Sequence, residues 1–438
     1  RVDRGWELGY NTGMIRKIRN NVFAMNSLVL FSGTMLANVL NYFFHLAVGR
    51  MVSVEVYGEV ESLISLVNII SVPAMTLAMV ATKFSACSKA DCNPGESHEV
   101  WKYLNRKILK FGIPLFLLAV LATPYVADFM KIESWTPFVF IWIMMFLSFF
   151  AAVNSGILTG WQKFKDISLT GVWGAIVKLA AVIILVKAGF ALNGAIGSFF
   201  LGVLASYIAS IVMLRFIISA KETGAEDDVE KKFDFDSLKK YVLPAFLATL
   251  VINILGNVDM LLAKHNLDAV AAGQYGALTI VSKIIFYATG VIATVLFSMS
   301  AEDSHKNNDS LRIFRNASYL MLSLSAVATL IYFVFPELVL SILFGSKYSD
   351  VAGYLGWFAI LVTLYSFANL EIQYLLSINS KADASYWMLA ISLAAVVSLM
   401  FFGTNIYAIL GIMIAAQILA IFIGLRYIFK SRKFTPVK

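Results

Sequence analysis

Five ionisable residues lie inside long apolar stretches of this 438-residue chain: His45, Lys178, Asp259, Lys283 and Glu371. A charged side chain at the centre of a bilayer-crossing helix costs about 2.5–3.5 kcal/mol on insertion scales, so such residues pair internally, face water or handle ions and charged substrates. Amides surround them at helical spacing. Asn38, Asn41 and His45 follow i, i+3, i+7, which is one helical face. Asn253, Asn257 and Lys264 share a second face. Ser366, Asn369, Gln373 and Ser377 make a third stripe, with Glu371 almost opposite it. Ser65, Asn68 and Ser71 run toward Pro73, which cannot donate to the Ile69 carbonyl and therefore predicts a kink. Asn154 is a further amide within an apolar run. Amides in such helices also serve only to bond neighbouring helices. Asp259 and Lys283 are the pair best able to neutralise one another. Binding and packing readings of these residues therefore both stay open.

Groups of this kind need elements that cross a membrane. Hydrophobic residues make up 59% of the chain and charged residues 14%, against about 25% charged in a soluble domain. The apolar residues fall into twelve blocks, from about 28–49 to about 405–428, each near the ~20 residues that span a bilayer core. Alternating strands of about ten residues are absent, so the blocks read as helices. The first block is long and carries polar residues, so it reads as a span rather than a signal peptide; the chain begins at Arg1 rather than Met, so residues can be missing before it. The second half repeats the first. Tyr57-Gly58 recurs as Tyr275-Gly276, Pro124 as Pro336, Asn154 as Asn369 and Lys165 as Lys381, at offsets between 212 and 218. The expected fold is an all-α integral membrane protein with twelve transmembrane helices in two pseudo-symmetric lobes. Residues 1–220 hold helices one to six, 221–235 are a cytoplasmic linker, and 236–438 hold helices seven to twelve. Duplicated bundles around a central site are an architecture of secondary transporters, and an even number of spans per repeat puts the pseudo-twofold axis along the membrane normal.

Charge sets the expected orientation. With a cytoplasmic N-terminus, 28 of the 35 Lys and Arg residues fall in the termini and alternate loops on the inside, and five (Arg50, Lys131, Lys187, Lys264 and Lys347) fall outside. This bias predicts both termini in the cytoplasm of a multi-pass protein of the cell membrane. It also accounts for the net charge of +8 without nucleic acid as a partner. The loop from Ser88 to Lys107 is expected to hold a short interfacial helix through Trp101, Leu104 and Ile108. Cys87 and Cys92 match no zinc or redox spacing and read as reduced thiols.

The chain has no GxxxxGK[ST] loop, no HExxH, no GxSxG and no metal-ligand cluster. ATP is therefore not expected to drive it, and no cofactor, metal or catalytic residue is expected. The short external loops disfavour a membrane glycosyltransferase.

Three segments carry a resemblance. Gly49-Arg50-Met51-Val52-Ser53-Val54-Glu55-Val56-Tyr57-Gly58 is similar to a GR-x-L-x-x-x-x-YG signature, with Val52 in place of the usual leucine. Leu343-Phe344-Gly345-Ser346-Lys347-Tyr348 resembles an LFG-x-x-Y element, and Gly160-Trp161-Gln162-Lys163-Phe164 fits the same pattern. Together they resemble the polysaccharide transporter family of the multidrug/oligosaccharidyl-lipid/polysaccharide (MOP) exporter superfamily. The resemblance implies a V-shaped bundle that flips a polyprenyl-pyrophosphate-linked oligosaccharide by alternating access, driven by an ion gradient or membrane potential. Membrane lipids and glycan-assembly enzymes are the implied partners. Twelve spans rather than fourteen make a peptidoglycan role less expected.

A pyrophosphate needs cations, and His45, Arg50, Lys178, Lys264 and Lys283 supply candidates, with Asn41, Asn154, Asn253, Asn257, Asn369 and Gln373 as polar lining. Its lipid tail needs a lateral opening. The alternative is a cation-coupled multidrug exporter, which needs cavity carboxylates. Asp259 and Glu371 are the deep ones, and they are also the candidates for ion coupling. The excess of cations favours the flippase.

Overall fold

The computed structural model describes residues 22–90, 93–220, 235–305, 310–378 and 383–431. Among these there is no strand. The helices are α1 (Val22–Met51), α2 (Val54–Ile70), α3 (Val72–Ala90), α4 (Pro94–Phe129), α5 (Thr136–Gly160), α6 (Phe164–Leu185) and α7 (Ala191–Met213) in the first half. The second half holds α8 (Phe235–Asn266), α9 (Ala269–His305), α10 (Leu311–Val334), α11 (Pro336–Phe344), α12 (Leu355–Ser377), α13 (Asp383–Phe402) and α14 (Ile406–Ser431).

Two irregularities decide the span count. The apolar run Phe164–Met213 is 50 residues long, and a helix of that length would extend about 75 Å, more than twice a hydrocarbon core of about 30 Å. The chain breaks instead at Gly189, whose φ of 92° is open to glycine and strained for other residues. α6 and α7 then fold back along one another. Conversely, α2 and α3 are one crossing bent by 40°. The bend falls at Ser71, two residues before Pro73, where the missing N–H predicts it. With α6 and α7 counted separately and α2–α3 as one, the described helices make twelve crossings.

The interfacial helix expected between Ser88 and Lys107 is not a separate element. Asn93 accepts from the Gly95 and Glu96 N–H groups and Pro94 occupies the first turn, so one 36-residue helix, α4, starts here and continues through the membrane. Leu104 and Ile108 are buried against the protein. The apolar stripe covers neighbouring helices rather than lipid.

α1 to α7 pack among themselves, as do α8 to α14. The seam between the two groups is narrow: α2 lies against α8 and α9, α3 against α8, and α1 touches α9 and α11. Glycines let α2 and α9 approach. A Cβ on Gly58 would lie 2.7 Å from the Gly273 nitrogen, and one on Gly276 would lie 3.2 Å from the Glu61 stem. The glycine of each repeated Tyr-Gly pair thus faces the other half across the seam, Gly58 at Gly273 and Gly276 at Glu61. Lys381, like nearly all of the linker 221–235, lies outside the described residues.

Candidate functional site

The seam gathers charge from both halves. His45 on α1 and Glu61 on α2 are buried, and His45 Nδ1 lies 2.5 Å from Glu61 Oε1. Lys178 on α6 is buried with its ammonium 4.6 Å from the Phe44 ring centre and 4.2 Å from that of Phe199. Two aromatic faces hold this cation by their quadrupoles. From the other half, Lys283 Nζ donates to Asn257 Oδ1 at 3.3 Å. Asn68 Nδ2 of the first half donates to the same oxygen at 3.0 Å. That acceptor is therefore shared across the seam. The Lys283–Asp259 pairing that the sequence left open is not made. Asp259 Oδ2 accepts from the Tyr275 hydroxyl at 2.8 Å, and its other oxygen is buried without a hydrogen-bond partner.

At the lysine-poor end the seam is bolted shut. Arg50 Nε donates to the Leu343 carbonyl at 3.0 Å, and its guanidinium also reaches the Ile342 carbonyl. Both carbonyls lie in the last turn of α11, where a helix end attracts a cation. Lys347 donates to the Val52 carbonyl at 2.5 Å, and Tyr57, Phe344 and Tyr348 pack edge to face. Lys264 is buried and pairs with Glu59 at 3.5 Å. His265 stacks on Phe129 and donates to its carbonyl at 2.6 Å. Arg50 and Lys264 therefore sit in this latch rather than in the central cluster. The two segments Gly49–Gly58 and Leu343–Tyr348 are its two halves.

A cavity of about 570 Å³ runs along α3 past Met75, Met79, Thr82 and Lys83. Between α1 and α9 an apolar groove of about 260 Å³, lined by Met35, Val39, Tyr42, Phe43, Ile284 and Tyr287, reaches the turn of α9 that carries Lys283.

The remaining candidates are dispersed. Asn154 is saturated inside the first half, accepting from Trp101 Nε1 and donating to Ser210 Oγ, each at 2.9 Å. Asn253 donates to the Thr249 carbonyl of its own helix at 2.9 Å. Asn41 is half-buried on α1, Asn369 buried and Gln373 half-buried on α12. Glu371 is fully buried in the second half against Gly424 of α14, with neither oxygen hydrogen-bonded. Like the α12 stripe residues Asn369 and Gln373, it does not join the seam cluster. Glu59 and Glu61 were missed because they stand at the edge of an apolar block. Their spacing from Tyr57 within one helix was the available signal, since Glu61 is one turn below that tyrosine.

The family profile described as "Polysaccharide biosynthesis protein" matches residues 23–302. No curated protein matches the chain. Among solved structures, an inward-facing MATE-family multidrug resistance transporter of the MOP superfamily superposes with a TM-score of 0.72 at 15% identity, covering 93% of this chain and 99% of that one. The lipid II flippase MurJ in an inward closed conformation gives 0.65 at 16% identity over 93% and 88%. A MOP-superfamily transporter from Pyrococcus furiosus gives 0.64 at 15% identity over 94% and 96%. These likenesses establish the fold, and with the profile spanning well over half of its length the chain belongs to the polysaccharide biosynthesis protein family.

Proposed function

We propose that the protein flips a polyprenyl-pyrophosphate-linked oligosaccharide from the cytoplasmic to the outer leaflet of the cell membrane by alternating access, driven by an ion gradient or the membrane potential. One observation carries the reading: each half places one lysine deep in its helices without a hydrogen-bonded carboxylate, Lys178 buried on aromatic faces and Lys283 half-buried on a neutral amide at the seam. A diphosphate is the kind of ligand that point charges with no hydrogen-bonded carboxylate suit. The groove between α1 and α9 gives a lipid tail a route that stays in hydrocarbon. The positive-inside bias supports a cytoplasmic lysine-rich end, so the latch closes the outer side and the cavity along α3 opens inward. A relative in fold, MurJ, is a lipid II flippase, and the family's description points to polysaccharide assembly. A drug exporter would need carboxylates free to meet cationic substrates. Here Asp259 accepts from Tyr275, Glu61 bonds His45, and Glu371 is sealed inside one half.

The test is reconstitution into liposomes with a fluorescent polyprenyl-pyrophosphate saccharide, read by its accessibility to an impermeant quencher. Translocation by the wild type and its loss in Lys178→Met and Lys283→Met variants of normal thermal stability are expected. Wild-type translocation of cationic dyes, with none of the lipid-linked saccharide, would refute the proposal.

A further inference from the structure

We propose that Glu61 is an internal stand-in for the substrate's diphosphate: its carboxylate neutralises the seam cations while the site is empty and is displaced when an anionic headgroup arrives. This rests on the function proposed above and identifies the residue that sets its affinity.

The stem of Glu61 rests on Gly276 of α9, so the carboxylate belongs to the first half yet lies against the second. There it bonds His45, whose ring packs edge to face with Phe44, the ring that Lys178 covers, and Asn68, two turns along the same face of α2, shares the Asn257 oxygen with Lys283. Asp259, the other deep carboxylate near the seam, accepts from the Tyr275 hydroxyl. Two lysines and two carboxylates meet here, so the carboxylates of Glu61 and Asp259 offset the lysine charge while the site is empty. A dry seam tolerates a neutral cluster and not a bare pair of cations. A diphosphate brings about two negative charges into the same space, and like charges side by side in an interface cost several kcal/mol. Glu61 and the ligand therefore exclude one another. Glu61 keeps the empty site closed and keeps the loaded site from binding too tightly to release.

Glu61→Gln keeps the size and a hydrogen-bonding group while removing the charge. Inorganic pyrophosphate and farnesyl pyrophosphate, titrated by calorimetry into wild type and variant in nanodiscs, separate a free anion from a lipid headgroup. Glu61→Gln should bind at least about tenfold tighter than wild type, and adding Lys178→Met should abolish the gain. A lower dissociation constant for farnesyl than for inorganic pyrophosphate marks the lipid as the source; the reverse marks the free anion. Binding by Glu61→Gln equal to or weaker than that of the wild type overturns the proposal and leaves the flippase reading standing. No binding by either protein overturns both. A wild-type measurement covers the case in which Glu61→Gln does not fold. Pyrophosphate should raise carbodiimide modification of Glu61, read by mass spectrometry, because the displaced carboxylate leaves its cations. Unchanged or reduced modification overturns the proposal.

Discussion

Replacing Gly58 with alanine probes the seam between the halves with a single methyl group. A Cβ there would meet the Gly273 nitrogen and Cα at 2.7 and 2.9 Å and the Ala272 carbonyl carbon at 3.0 Å. All three are backbone atoms of α9, so no side chain can rotate away. Ordinary contact begins near 3.4 Å, so the helices must part by about 0.7 Å. Overpacking of this kind costs about 1–3 kcal/mol. Against it stands the higher helix propensity of alanine, worth about 0.8–1 kcal/mol. The two effects separate cleanly, because propensity acts equally in every conformation while the clash exists only with the seam closed. The equilibrium at this end should therefore shift by the full steric cost, about 5- to 150-fold toward the open form. Nitroxide labels at Glu55 and Asp350, both exposed, report the separation by pulsed electron paramagnetic resonance once Cys87 and Cys92 are replaced by serine. Gly58→Ala should add a longer-distance population. Gly290→Ala, where a Cβ meets nothing within 4 Å, is the control: its distances should match the parent, with stability unchanged or raised. An unaltered distance distribution in Gly58→Ala, in protein that melts no lower than the parent, would refute the assignment of this crossing as the tight contact of the seam.

Three further expectations follow from the site. Lys178→Met keeps the stem against Phe44 and Phe199 but loses cation–π attraction worth about 2 kcal/mol away from water. Translocation should fall at least about tenfold, with normal yield in the membrane, and wild-type flipping would remove Lys178 from the site. Lys283→Met should express normally and fail to flip. Adding Asp259→Asn should not rescue it, because Asp259 bonds Tyr275 and not Lys283, whereas recovery in the double variant would reinstate a Lys283–Asp259 pair. In a cysteine-free background, Ser346→Cys should react with an impermeant maleimide on intact cells and Ser219→Cys only after permeabilisation; the opposite pattern would invert the topology.

Depth and period are local properties, and they were legible along the chain. Apolar runs near 20 residues, the Pro73 bend and the repeat of Tyr57-Gly58 as Tyr275-Gly276 all reappear in the helices, because the bilayer requires every backbone group to be bonded within its own helix. Partnership was not. Arg50 looked like a phosphate ligand by type, yet it bonds carbonyls nearly 300 residues away. Asp259 and Lys283 looked like a pair by proximity in the chain, yet the seam gives Lys283 to Asn257 and Asn68 and gives Asp259 to Tyr275. Glu61 drew no notice at the edge of its apolar block, and it becomes central only when α9 brings Gly276 against its stem and Lys283 to the amide that Asn68 of the same helix also bonds. A sequence states which side chains are too costly to leave in hydrocarbon. Which of them meet depends on how two six-helix halves dock, and that is decided by glycine contacts and carbonyl positions spread across the whole chain.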